Sequence, residues 1–154
     1  MVTKIDIERN QIKGKYEGCY YPIPYKYSKY LFYSSFTMSL TSLIALYFDE
    51  GVTSFYYFVL FLTSINFWRK PEYGIRHRMD KTMVYVGLGY TFFVIYMLLN
   101  KEFYRIVFIN MFLCVLIFDI ISHTLCMVHS TKWIVFHMAI HIYASLMGLF
   151  IFCI

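Results

Sequence analysis

Five apolar runs, separated by short polar breaks, follow one another along this chain from Tyr30 onward, and they leave it few architectures. The first covers about Tyr30–Phe48 and ends at Asp49, Glu50 and Gly51. The second covers about Val52–Trp68 and ends at Arg69, Lys70 and Pro71. The third covers about Thr82–Leu99 and ends at Asn100, Lys101 and Glu102. The fourth starts near Ile106 and runs to about Leu125, interrupted by Asp119, and the fifth is Trp133–Ile154. A helix needs roughly 20 residues to cross a hydrocarbon layer, with a range of about 17–25, so each run qualifies. Backbone groups in lipid have to be satisfied within their own segment, so runs of this length are expected to be helical despite their β-branched and aromatic residues. The alternating pattern of a membrane barrel is absent from the sequence.

Composition agrees with lipid as the solvent. The chain is 60% hydrophobic and 22% aromatic, with 15% charged residues against the roughly 25% usual in soluble domains. Its 154 residues leave room for one domain. The expected fold class is therefore an all-α integral membrane protein, a bundle of about five transmembrane helices over residues 30–154. It is preceded by a cytoplasmic or interfacial segment, 1–29. Residues 1–18 contain no apolar signal region, so the first run is expected to act as its own insertion signal. Cys114, Cys126 and Cys153 lie in or beside apolar runs and only Cys19 is in a polar segment, which suggests packed thiols and no disulfide framework.

The basic residues set the orientation. With five spans, one side holds Lys4, Arg9, Lys13, Lys15, Lys26, Lys29, Arg69, Lys70, Arg76, Arg78, Lys81 and Lys132. The other side holds Lys101 and Arg105, a split of twelve to two among the 14 lysines and arginines. The positive-inside rule places the N-terminus in the cytoplasm. The formal charge of +5 reflects this asymmetry, and no aromatic-interleaved basic face of the kind that binds nucleic acid is present. Tyr20, Tyr21, Tyr25, Tyr27 and Tyr30, interleaved with Lys26 and Lys29, suit the headgroup region. Between the second and third runs, Arg69, Lys70, Arg76 and Arg78 are placed to meet anionic lipid headgroups, and Pro71 and Gly74 can make the reversal. Trp68 and Tyr73 sit at headgroup depth there.

Ionisable groups inside a span are costly and mark sites or inter-helix contacts. His137 and His141 are four residues apart, on one face of the fifth run, where two imidazoles can share a metal ion. Asp119 and His123 have the same spacing, which lets a carboxylate orient an imidazole. Ser64 lies near the cytoplasmic end of the second run and Asp80 at the start of the third. In order and sidedness, Ser64, Asp80, His137 and His141 resemble the pattern of the alkaline ceramidase and progestin-adipoQ receptor superfamily of membrane hydrolases. That resemblance implies zinc held by His137, His141 and a third ligand, for which His123 or His77 is available. It implies that Asp80 and Ser64 support the metal-bound water. The superfamily has a histidine four residues after the serine, where this chain has Trp68, and seven spans where five are expected here.

Two functional readings remain open at this point. One is a non-enzymatic multi-pass scaffold whose histidines hold helices together. The other is a reduced zinc-dependent hydrolase acting on a lipid amide or ester at the cytoplasmic face. Homo-oligomerisation, with Asn110 and Asp119 as lining candidates for a small channel, belongs to the first class. The isoleucine-, lysine-, tyrosine- and phenylalanine-rich composition suggests an AT-rich coding sequence, as found in large DNA viruses and protists.

Overall fold

A computed structural model describes residues 25–72, 74–128 and 130–153, and the side chains of 27–72, 74–128 and 130–152. Everything regular in it is helical, and no strand occurs among the described residues. The helices are α1 (Tyr25–Ser34), α2 (Phe36–Tyr47), α3 (Gly51–Trp68), α4 (Ile75–Met97), α5 (Glu102–Met127) and α6 (Trp133–Phe150), the last ending in a 3₁₀ turn, Ile151–Cys153. The interfacial segment expected over 1–29 falls mostly outside the described residues, as do Tyr73 and His129. Its last part, from Tyr25, is already helix.

α1 and α2 form one rod with a local break. Ser35, between them, keeps right-handed helical angles, and its N–H still reaches the Leu31 carbonyl at 3.1 Å. The same carbonyl accepts the Ser34 and Ser35 hydroxyls at 3.0 and 2.8 Å. Side chains that compete for ladder carbonyls loosen a helix locally, so the first apolar run becomes two short helices. The five runs thus appear as five rods.

The turns follow from backbone chemistry. After α2, Asp49 takes a left-handed φ of 59°, and the Glu50 and Asp49 N–H groups bond the Ala45 and Leu46 carbonyls at 2.9 and 3.2 Å. This is a Schellman closure with aspartate in the position glycine usually fills. Before α4, Gly74 has φ 154° and ψ −156°, a conformation reserved for glycine, so the reversal expected of this loop does depend on it.

In space the order is α4, α3, the α1–α2 rod, α6, α5. α4 and α5 meet again near their connecting turn, where Val94 and Leu98 pack with Phe108 and Met147, and Phe92 lies edge-on to Phe112. Much of what is buried is small and hydroxylated: Ser28, Ser35, Thr41, Thr53 and Ser64 are fully enclosed beside Phe67, Trp68 and Phe108. Much of what is exposed is large and apolar, including Tyr47, Val52, Phe55, Ile75 and Phe103, each at least 70% exposed. Small residues let helix backbones approach closely. A coat of aromatic and aliphatic side chains of this extent is far beyond what a soluble monomer shows to water.

Two helices, Glu102–Met127 and Trp133–Phe150, are long and apolar enough to cross a membrane, and only 11% and 28% of their apolar windows are buried inside the protein. The other runs fall short for visible reasons. The first is divided at Ser35 into helices of 10 and 12 residues. α3 carries Thr53, Ser54, Thr63, Ser64 and Asn66 among its apolar residues, and α4 begins with Arg76, Arg78, Asp80 and Lys81. One expectation is corrected: Cys126 is disulfide-bonded, with a partner whose side chain lies outside those described, while Cys114 is free. An apolar sequence neighbourhood does not determine whether two sulfurs meet in space.

Candidate functional site

The buried polar residues collect where the α1–α2 rod, α3 and α6 converge. His141, on α6, is 4% exposed, and its Nδ1 lies 2.8 Å from the Ser34 hydroxyl. The Ser34 hydroxyl donates to the Leu31 carbonyl, so the pair is complete when His141 Nδ1–H donates to Ser34 Oγ. In the neutral tautomer that makes this bond, Nε2 is the acceptor nitrogen. Next to it, Ser35 Oγ lies 3.1 Å from Ser64 Oγ and ties the rod to α3.

The network continues away from this point along α6. Ser145 Oγ lies 2.8 Å from the His141 carbonyl and 2.9 Å from Thr37 Oγ1, and Thr41 Oγ1 reaches the Ser145 carbonyl at 3.3 Å. Tyr57 Oη, from α3, donates to the Ala144 carbonyl at 2.5 Å. Ser42 and Ser54 exchange hydroxyl-to-carbonyl bonds of 2.9 Å in both directions between α2 and α3, and Thr53 pairs with Tyr90 Oη of α4 at 2.6 Å.

One turn toward the Trp133 end of α6, the surroundings become aromatic. The His137 ring is half-buried and edge-on to three others: Trp68 at 5.0 Å, His141 at 5.2 Å and Trp133 at 5.9 Å between centroids. Trp68 is 2% exposed and packs with Leu31, Phe67 and Ile134. Its Nε1–H and the Ser28 hydroxyl are both buried with no hydrogen-bond partner among the described residues. Such groups cost free energy unless something polar meets them.

The residues singled out from the sequence are therefore partly assembled. Ser64 and His141 enter one network through Ser35 and Ser34, and His137 and Trp68 lie against it. His123 is exposed on α5, as is Asp119. Asp80 is half-buried on α4, where burial pushes its carboxyl up to about 7. His77, one turn before it, packs against Phe67, with its imidazole lowered first by burial and then by Lys81. Among the described residues, no three histidine, cysteine, aspartate or glutamate side chains are grouped as a metal ion would need.

No family model, no curated protein and no solved structure matches this chain. What it does has to be argued from the site.

The sequence reading passed over Ser34, Ser35, Thr37, Thr41 and Ser145. Their signal was periodicity: Ser34, Thr37 and Thr41 stand at steps of three and four on the rod, Ser35 stands seven residues from both Ser28 and Ser42, and Ser145 stands four after His141. That is the helix-contact spacing, here filled with small and hydroxylated residues.

Proposed function

We propose that the chain is a five-span membrane protein with its basic side in the cytoplasm, and that it acts as a non-enzymatic scaffold. The observation that carries this reading is the division of polar and apolar groups. Hydroxyls and the His141 imidazole bridge helices inside, while large apolar side chains coat the outside. A bilayer rewards that division, because internal hydrogen bonds then have no water to compete with. The turn between α3 and α4 and the start of α4 carry Arg69, Lys70, Arg76 and Arg78, which would bind anionic headgroups on the cytoplasmic face. In this reading His141 is inter-helix glue, and Trp68 occupies the space beside His137 with an indole that cannot ligate a metal.

A second reading, the zinc-dependent hydrolase, is favoured by the Trp68 Nε1, unpartnered among the described residues on a ring 5.0 Å from that of His137, and by an Nδ1–H of His141 held by Ser34. An acceptor that holds Nδ1–H in place is the usual support of an imidazole ligating through Nε2. His137 and His141 would be the ligands, with Asp80 and Ser64 beside the metal-bound water and His123 as the remaining candidate ligand. Elemental analysis of the detergent-purified protein, beside a His137→Ala/His141→Ala variant, separates the two. The scaffold reading expects no stoichiometric metal in either. Near-stoichiometric zinc in the parent, lost in a variant that keeps its helical circular dichroism, would replace it with the hydrolase.

A further inference from the structure

α5 stands at the edge of the bundle and uses one face for α6. Phe108 and Val115 pack toward Met147, Phe118 lies edge-on to Tyr143, and Ser122 Oγ reaches the Trp133 carbonyl at 3.3 Å. The opposite face has its own regular pattern. Ile106, Asn110, Leu113, Ile117, Ile120 and Thr124 follow at alternating steps of four and three, and all are exposed. This is the repeat by which one straight helix seats against another at a shallow left-handed crossing.

Two polar residues lie in that seam. Thr124 is satisfied within its own helix, its hydroxyl donating to the Ile120 carbonyl at 2.8 Å. Asn110 is satisfied in part: Nδ2 donates to the Ile106 carbonyl at 2.8 Å. That leaves a second N–H and the amide oxygen pointing to the outside of α5. In hydrocarbon both would be unpaired, which is expensive.

A second copy of the chain removes the difficulty. About a twofold axis along the membrane normal, a seam residue meets its own counterpart at the same depth. An amide is donor and acceptor at once, so asparagine pairs with itself where an acid or a base would not. We propose that the chain forms a parallel homodimer through this face of α5, with the two Asn110 amides hydrogen-bonded across the axis. The proposal rests on α5 spanning a bilayer.

The test uses the full chain, carrying donor or acceptor dyes at the N-terminus, in phosphatidylcholine vesicles over a range of lipid-to-protein ratios. Energy transfer should fall with dilution as a dimer dissociates. Asn110→Leu should weaken the dimer by about five- to thirty-fold, the effect of a polar inter-helix contact in lipid. Ile117→Trp, too bulky for the seam, should abolish it, and Leu43→Ala on the exposed face of α2 should leave it unchanged. Vesicle flotation is run alongside. Failure to float would overturn the spanning reading and the dimer together. Flotation with transfer no higher than random proximity gives, or with Asn110→Leu equal to the parent, would overturn the dimer alone. Lipid or an unrelated protein would then cover this face.

Discussion

At Gly148 the α1–α2 rod, α3 and α6 are packed side by side, and Gly148→Ala tests that packing directly. A methyl group there would lie 2.5 and 2.6 Å from Cζ and Cε2 of Tyr57 and 2.7 Å from Cγ2 of Thr41. Neither neighbour can easily move. Tyr57 is 5% exposed and anchored by its hydroxyl to the Ala144 carbonyl, and Thr41 is fully enclosed and bonded to the Thr37 and Ser145 carbonyls. Forcing a methyl group into a filled site costs about 1–3 kcal/mol. Swinging the Tyr57 ring away loses its hydrogen bond, about 0.5–1.5 kcal/mol more. Alanine returns about 0.5–1 kcal/mol through its better helix propensity. The net expectation is a loss of about 2 kcal/mol. Unfolding of the micellar protein by sodium dodecyl sulfate can be followed by fluorescence, since its two tryptophans, Trp68 and Trp133, report on one cluster. Gly89→Ala is the control: nothing lies within 4 Å of its added methyl, so it should be neutral or mildly stabilising. A Gly148→Ala protein within about 0.5 kcal/mol of the parent, or a Gly89→Ala protein as damaged as Gly148→Ala, would refute the close three-helix contact.

Three further outcomes follow from the same geometry. Ser34→Ala should cost about 1–2 kcal/mol by stranding His141 Nδ1, and a double-mutant cycle with His141→Phe should show coupling of about 0.5–2 kcal/mol; strict additivity would mean that the bond contributes nothing. Asp80, near the start of α4, should make stability fall as pH rises. Burial lifts its carboxyl from 3.8 to about 7, so its contribution is fully present below 3.8 and is lost through about 7. The Asp80→Asn variant should therefore show a flatter thermal midpoint between about pH 4 and 8, and parallel profiles would refute the shift. His77 titrates in the opposite sense but is common to both proteins, so it cancels in the comparison. Asp49→Gly should stabilise by about 0.5–1 kcal/mol by relieving the left-handed φ of 59°, and an unchanged unfolding midpoint would contradict the strain assigned to that turn.

The sequence by itself determined the helices and where they end. Runs of apolar residues of bilayer length have one way to satisfy their backbone, and charged residues, Pro71 and Gly74 interrupt them. The same runs concealed the break at Ser35, because a hydroxyl bonding back to Leu31 competes with the ladder without altering hydropathy. His137 and His141 were recognisable as a pair, since a spacing of four on one helix is a local fact. Ser34 as the partner of His141 was not recognisable. The two are 107 positions apart, and only the closure of α1 against α6 brings them within 2.8 Å. Trp68 beside His137, Tyr57 under Gly148 and the sulfur bonded to Cys126 belong to the same class. Periodicity states which face a residue occupies. Which residue faces it depends on how five rods close into one bundle, and that is decided by the fit of small and hydroxylated side chains between the helices.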